Sequence, residues 1–335
     1  MKVLVTGGTG FMGRHLVWRL AREGAEVVFT GRRHEAAQTV CDLSPQPVTW
    51  CQLEHGTEGA AQTLSTCAAG ADAIVHCAAL SSPWGSADAF HRANVASTAE
   101  VLQACRAANV ARLVHISTPS LYFDYRDHLA VREDHALPAA VNEYARSKGQ
   151  AEQLVRQQSQ IETVILRPRA LFGPWDGTLM PRLARVMKKG FVPLMRGGHA
   201  LLDLTYIDNA IEAVWLALTR PLPQRLATYN VSNGEPIELG TLLGRVAQEF
   251  QLPLRTKHLP WPLVSTAARG LEVWGRWRDA EPAITRYSAG VLAFSQTLDL
   301  SAIRRDLGYS PLVPLDEGLR RHAQWWRAQQ HKNSA

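Results

Sequence analysis

The run Val3-Leu4-Val5-Thr6-Gly7-Gly8-Thr9-Gly10-Phe11-Met12-Gly13 constrains the fold of this chain more than any other. An apolar strand breaks into glycines, and Leu16, Val17, Leu20 and Ala21 then recur at helical spacing, with Gly24 placed to end the helix. Glycines allow a sharp turn and let the backbone approach a phosphate with no Cβ in the way. The free N–H groups and positive dipole end of the following helix attract the anion. The same residues satisfy both Gly8-x-Gly10-x-x-Gly13 and Gly7-x-x-Gly10-x-x-Gly13. Strand, glycine turn and helix in that order predict the first βα unit of a dinucleotide-binding sheet, with Gly7, Gly10, Phe11, Met12 and Gly13 beside the pyrophosphate.

Strand-like runs at 3–6, 26–30, 73–77, 112–117 and 163–166 alternate with helical patterns, the later ones at 87–107 and 142–158. Short β-rich segments separated by helices predict βαβ units, hence an α/β, Rossmann-type, doubly wound parallel sheet. After Arg167-Pro168 the chain becomes rich in Pro, Gly and Trp, as at Gly173-Pro174-Trp175, Pro181, Gly190, Pro193 and Gly197-Gly198. A dinucleotide-binding domain is therefore expected over 1–170, with segments returning to it near 203–231. A smaller, irregular substrate-binding lobe is expected over 171–335.

At 335 residues and 46% hydrophobic content the chain can bury a large core. No apolar run approaches a membrane span, and a strand beginning at residue 2 leaves no room for a signal peptide, so a cytoplasmic protein is expected. Cys41, Cys51, Cys67, Cys77 and Cys105 are odd in number and form no C-x-x-C pair, which predicts reduced, largely core thiols and no metal site. The net charge of +6 arises from 36 basic and 30 acidic residues spread along the chain, so no nucleic-acid partner is expected.

Tyr144 and Lys148 lie four apart on a predicted helix and so share a face. A neighbouring cation lowers a phenol from its usual pKa of about 10 by roughly 1 to 3 units, which would let Tyr144 exchange a proton with a ketone or alcohol. The pair also fits an ordinary exposed helix surface. Upstream, His115-Ile116-Ser117-Thr118-Pro119-Ser120-Leu121-Tyr122 brings hydroxyls to the end of a strand. In an open α/β sheet that end faces the ligand crevice, where a hydroxyl can hold an oxygen on which charge develops. Ser117 and Ser120 read equally as caps of the turn at Pro119.

With these features the chain resembles the extended short-chain dehydrogenase/reductase family, the NAD-dependent epimerase/dehydratase superfamily. The resemblance runs from the glycine loop through Val75-His76-Cys77-Ala78-Ala79, Asn94-Val95, Ser117-Thr118, Tyr144/Lys148 and Arg167-Pro168 to Leu307-Gly308-Tyr309-Ser310-Pro311. It implies that Tyr144 is proton donor and acceptor, that Lys148 binds the nicotinamide ribose and lowers the tyrosine pKa, and that Thr118 holds the substrate oxygen. Thr118 rather than Ser117 is chosen because it stands four residues before Tyr122, although serine is commoner there in the family. Ala78 and Ala79 would let the cofactor pass close by, and Leu53 would lie against the adenine. Where an acidic residue would bind the ribose of NAD, the second strand ends in Gly31-Arg32-Arg33. Gly31 leaves room and Arg32 and Arg33 offer charge to a 2′-phosphate, so NADP(H) is favoured over NAD(H), while two arginines at a strand end also fit a solvated turn.

Two departures narrow the branch. Pro119-Ser120 stand where the family's dehydratases carry Asp-Glu, and Ala170 stands where many relatives carry a nucleotide-binding Asn. Simple hydride exchange is what remains. The C-terminal half is similar to the 3β-hydroxysteroid dehydrogenase branch, through Ile284-Thr285-Arg286-Tyr287, Ser295-Gln296-Thr297-Leu298-Asp299 and Ala302-Ile303-Arg304-Arg305-Asp306. That branch includes bacterial 2-alkyl-3-oxoalkanoate reductases and sterol-4-carboxylate dehydrogenases. It implies interconversion of a ketone and a secondary alcohol on a bulky hydrophobic substrate, a 2-alkyl-3-oxo acid or sterol-like molecule. Within 262–278, Leu263, Ala267, Leu271 and Trp274 form an apolar helical face flanked by Arg269, Arg276 and Arg278. It reads as a packing helix, a lid, or a peripheral membrane or lipid contact. The family also implies a homodimer through helices such as 87–107 and 142–158. The alternatives are a nucleotide-sugar epimerase or reductase, and a non-enzymatic dinucleotide-sensing or RNA-associated protein, a kind that usually lacks the Tyr/Lys pair.

Overall fold

Seven strands form one parallel sheet: β1 (Lys2–Thr6), β2 (Glu26–Gly31), β3 (Thr49–Gln52), β4 (Ala73–His76), β5 (Arg112–Ile116), β6 (Glu162–Pro168) and β7 (Leu226–Val231). Their order is β7-β6-β5-β4-β1-β2-β3 in the computed structural model, which describes residues 1–158, 160–278 and 280–334. The sheet is the expected doubly wound one. Strand order reverses between β1 and β4, the point at which such sheets open a crevice at their carboxyl edge.

Both faces of the sheet are covered, so its strands read as continuous apolar runs. Val3 and Val5 pack with Leu16, Val17 and Leu20 of α1 (Phe11–Arg22) on one face, while Leu4 packs with Leu64, Val101, Leu102 and Leu113 on the other. The helix ends as its sequence predicts. Gly24 sits at φ +78°, and Ala25 N donates to Leu20 O at 3.0 Å. β3 was not among the runs read as strands, because this four-residue edge strand has no fully buried position and so no alternation to detect.

Two further expectations are corrected. The predicted helix 87–107 is interrupted: Ala87–Phe90 passes into a π-helical turn at His91–Ala96 before Ser97–Ala107 resumes the α-helix. The cysteines are not all reduced, for Cys51 of β3 and Cys67 at the end of the helix Ala60–Cys67 form a disulfide. Both border the apolar cluster around Leu64, and that shared packing is tertiary, invisible in their spacing. Of the free thiols only Cys105 is fully buried.

A four-stranded sheet in the order Ile237–Glu238, Leu201–Leu202, Gln296–Leu298, His128–Val131 takes one strand from before β6 and three from after it, and between Leu201–Leu202 and Ile237–Glu238 the chain returns through β7 to the edge of the main sheet. Trp175 fixes the exit from the main sheet against α1, with its ring 6.2 Å from Trp18 and 4.6 Å from the Arg14 guanidinium. No helix among the described residues is long and apolar enough to cross a membrane.

Candidate active site

The glycine loop has little space for side chains. A Cβ on Gly7 would lie 2.8 Å from Ala78 N, on Gly8 2.6 Å from Phe29, and on Gly13 2.2 Å from Gly7 O. Gly10 differs: its Cβ would come within 3.1 Å of Gly7 O and meet nothing else. It is the N-cap of α1, with no side chain to cap the first-turn N–H groups. Those groups, aimed at the crevice between β1 and β4, fit a pyrophosphate. Phe11 and Met12 form the first turn, Ala78 N donates to Thr6 Oγ1 at 3.3 Å, and Ala79 is exposed just past β4.

At the end of β2, Arg32 and Arg33 are exposed. Arg32 lies 3.7 Å from Glu54, and the charge of Arg33, added to burial, pulls Arg14 below the usual arginine range. Gly31 does not leave the expected free room, because Thr9 Cγ2 would be 2.5 Å from a Cβ there. Leu53 is buried with its N–H on Gly31 O at 3.2 Å.

Tyr144 and Lys148 stand on α2 (Glu143–Arg156), which Asn142 caps by accepting the Ala145 N–H at 2.8 Å. Thr118, just past β5, and Ser81, in the loop after β4, bring their hydroxyls close enough to the Tyr144 phenol to favour its ionised form. Thr118 Oγ1 donates to Ser120 Oγ at 3.0 Å, and Ser120 Oγ pairs with Tyr287 Oη at 2.6 Å. Four hydroxyl-bearing side chains thus converge on Tyr144 from distant parts of the chain. Of the sequence candidates, Thr118, Tyr144 and Lys148 meet here, and Ser117, just past β5, is buried with no hydrogen-bond partner for its hydroxyl among the described residues.

Lys148 is buried, and its Nζ donates to Ile116 O at 2.6 Å, bracing α2 against β5. Burial pulls this ammonium down to about 8, against the opposing influence of Glu152 and Cys77. The Tyr144 phenol is not lowered as expected. Burial pushes it above its ordinary value, the Thr118 and Ser81 hydroxyls pull it part of the way back, and Tyr287 adds to the rise. The ammonium is turned to the strand carbonyl, so the phenol gains no stabilisation from it in this state.

The π-helical turn carries Asn94, whose Nδ2 donates to Ser147 Oγ at 2.8 Å while its Oδ1 accepts Leu80 N at 2.8 Å. It pins the Ser81 loop to the helix that bears Tyr144. Arg167, also buried, forms a forked pair with Glu152 at 2.8 and 2.6 Å and donates to Tyr122, tying β6 to α2. Sequence reading missed Ser81 and Tyr287 as members of this site, although Tyr287 falls within the run that carried the C-terminal resemblance.

A helical hairpin roofs the site. α3 (Trp261–Arg278) packs on α4 (Arg286–Ala293), which carries Tyr287. Gly275 and Arg276 of α3 lie against Trp84, in the Ser81 loop. α3 buries Val264, Ala268 and Gly275, so Leu263, Ala267 and Trp274 of the predicted apolar face point to solvent and only Leu271 is half-buried.

Residues 3–232 match the NAD dependent epimerase/dehydratase family. The chain belongs to it. Members of this family depend on a nicotinamide dinucleotide. Among curated relatives, the chain is 37% identical to the uncharacterized protein YbjS of Escherichia coli (strain K12), covering 98% of each chain. It is 34% identical to 2-alkyl-3-oxoalkanoate reductase of Stenotrophomonas maltophilia (strain K279a), over 96% of this chain and 98% of that one. It is 29% identical to 3beta-hydroxysteroid-dehydrogenase/decarboxylase isoform 2 of Arabidopsis thaliana, over 95% of this chain and 60% of that one. These relatives support the 3β-hydroxysteroid dehydrogenase-like branch. Among solved structures, UDP-glucose-4-epimerase from Stenotrophomonas maltophila with bound NAD superposes with a TM-score of 0.79 at 21% identity, covering 99% of both chains, which shows the shared fold.

Proposed function

We propose that this enzyme is an NADP(H)-preferring reductase of a ketone on a bulky hydrophobic substrate, working reversibly on the corresponding secondary alcohol. The observation that carries this reading is the grouping of Tyr144 with the Thr118 and Ser81 hydroxyls at the carboxyl edge of the sheet whose first βα turn is the glycine loop. When bound, the dinucleotide supplies the hydride that reduces the carbonyl carbon. Thr118 orients the carbonyl oxygen, and Tyr144 gives its proton to that oxygen as negative charge develops there. The raised pKa keeps the proton on Tyr144 at neutral pH, the form that reduction needs. The phenolate left behind is stabilised by the Ser81 hydroxyl, and the reverse reaction returns the proton to it. Lys148 stands one helical turn from Tyr144, where a ribose hydroxyl would become a second acceptor for its ammonium. NADP preference rests on Arg32 and Arg33, with Arg14 nearby, as partners for a 2′-phosphate.

The test is loss of NADPH absorbance with a 2-alkyl-3-oxo acid. Tyr144→Phe is expected to lower kcat by about 10²- to 10⁴-fold with an unchanged melting temperature. Full turnover by that variant would overturn the mechanism.

A further inference from the structure

Arg169 is a buried cation with no hydrogen-bond or ion-pair partner among the described residues. It follows β6 at the carboxyl edge of the sheet, where its N–H donates to Val231 O at 3.0 Å and its carbonyl accepts the Thr205 hydroxyl at 2.5 Å. The backbone is therefore anchored on both sides. Its side chain is 5% exposed, its Nε is sealed from solvent without an acceptor, and its guanidinium makes no hydrogen bond or ion pair with any described residue. Tyr287 and Asp203 favour its charge without a hydrogen bond or ion pair to it; Asp203 accepts Leu298 N through Oδ2 at 2.7 Å and leaves its Oδ1 buried and unpaired among the described residues. Tyr287 also acts on Tyr144 and bonds Ser120, so Arg169 and the catalytic phenol flank the same tyrosine.

Taking a guanidinium out of water costs several kcal/mol unless an anion meets it. The contrast with Arg167, two residues earlier, is direct: that side chain is as deeply buried but has a forked carboxylate partner. We propose that Arg169 binds the carboxylate of the substrate, so that the enzyme acts on 3-oxo or 3-hydroxy acids rather than on neutral ketones. A planar fork matches a carboxylate through two parallel N–H bonds. In a 3-oxo acid the carboxylate lies two carbons from the reacting carbonyl, so fixing the acid end confines where that carbonyl can lie. This inference rests on the ketone-reductase reading and adds the chemical class of substrate.

The experiment compares a 2-alkyl-3-hydroxy acid with its methyl ester, following NADPH formation from NADP⁺. The wild type is expected to favour the acid about tenfold or more in kcat/KM, and Arg169→Gln to abolish that preference by raising KM for the acid about tenfold. The KM of the ester and the affinity for NADP⁺ stay unchanged in that variant, and Arg169→Lys restores part of the preference. Equal use of acid and ester by the wild type, or an equal loss on both substrates in Arg169→Gln, overturns the proposal. Where Arg169→Gln shows no melting transition, the wild-type acid-to-ester ratio decides. Should neither compound be turned over, the ketone-reductase reading fails, and Arg169 is then judged by calorimetric titration of a 2-alkyl carboxylic acid into the NADPH complex. Binding of the acid but not its ester supports the role, and absence of binding refutes it.

A second inference comes from the roof. On α3, Leu263, Ala267, Trp274 and Trp277 line one exposed stripe opposite the packed side, with Trp277 80% and Leu263 59% exposed. Arg269 and Arg278 flank it, while Arg276 is turned to Trp84, and Glu272, the only acid of the helix, is engaged with Arg286 N. We infer that this stripe docks on the surface of an anionic bilayer, with the indoles at headgroup depth and the arginines toward phosphates. A second copy of the chain would set arginines against arginines, which disfavours self-pairing through this face. Flotation with phosphatidylglycerol-containing vesicles tests it, with pure phosphatidylcholine as the comparison. The wild type should float with the anionic vesicles, and the Trp274→Ser/Trp277→Ser double variant should not. Failure of the wild type to float, or a dimer by light scattering that the double variant dissolves, overturns it.

Discussion

Replacing Gly10 by alanine separates folding from cofactor binding in the glycine loop. The backbone there, φ −72° and ψ 174°, suits any residue, and the new methyl would meet only Gly7 O, at 3.1 Å. Alanine is a poorer N-cap than glycine, so the folding cost is expected to be about 1 kcal/mol or less. The methyl does occupy the approach to the first-turn N–H groups of α1. Losing one charge-assisted contact to a phosphate costs about 1.5–3 kcal/mol, which is roughly 10- to 150-fold in affinity. Gly13→Ala is the opposite case, since its methyl would stand 2.2 Å from Gly7 O and force α1 away from the loop. Thermal melting and calorimetric titration with NADPH distinguish the two: Gly10→Ala should melt like the wild type and bind at least about tenfold more weakly. A Gly10→Ala protein with undiminished NADPH affinity would refute the placement of the pyrophosphate.

Arg32→Ala/Arg33→Ala should weaken NADPH binding by about tenfold or more while leaving NADH nearly unchanged, as measured by the ratio of the two dissociation constants; equal losses on both would remove the 2′-phosphate assignment. His322 is fully buried among Phe172, Phe250 and Trp325 with neither ring nitrogen partnered, and burial pulls it down to about 3. Its unfolded pKa is about 6.5, so the unfolded chain takes up a proton that the fold refuses: stability is complete above that value and falls as pH drops toward the folded pKa, by about 2 kcal/mol at pH 5. His322→Leu should flatten that acid limb in melting curves run from pH 7 to 5, and an unaltered limb would show that the imidazole is not the cause. Glu152→Gln leaves the buried Arg167 without its carboxylate and should cost about 3–5 kcal/mol in urea unfolding. A loss under about 1 kcal/mol would mean that the pair is not sealed from water.

Legibility in the sequence followed the range of the interactions. The first βα unit could be read because glycine spacing, helix period and Gly24 are all local signals. The pairing of Tyr144 with Lys148 could be read for the same reason. Tyr287 is 167 residues from the Ser120 hydroxyl that it meets, and Cys51 and Cys67 are brought together by packing on a common apolar cluster, so neither contact has a local signature. β3 escaped because an edge strand with no buried position shows no period. On α3 the apolar face was visible, but which side meets the protein was not: small residues, Ala268 and Gly275, permit close approach on the face that packs. The direction of the Tyr144 shift was misjudged because spacing reveals that an ammonium is near and not where it points.

The π-helical turn at His91–Ala96 has a mechanical consequence. A helix that has absorbed one surplus residue can surrender it, and excising Ala93 would return the segment to an ordinary winding. One residue is about 100° of arc, so Asn94 would swing off both Ser147 and Leu80 in a single rotation. The hydroxyl of Ser81 would then be untethered from the phenol that it helps to aim, although every residue touching the reacting atoms would still be in the chain.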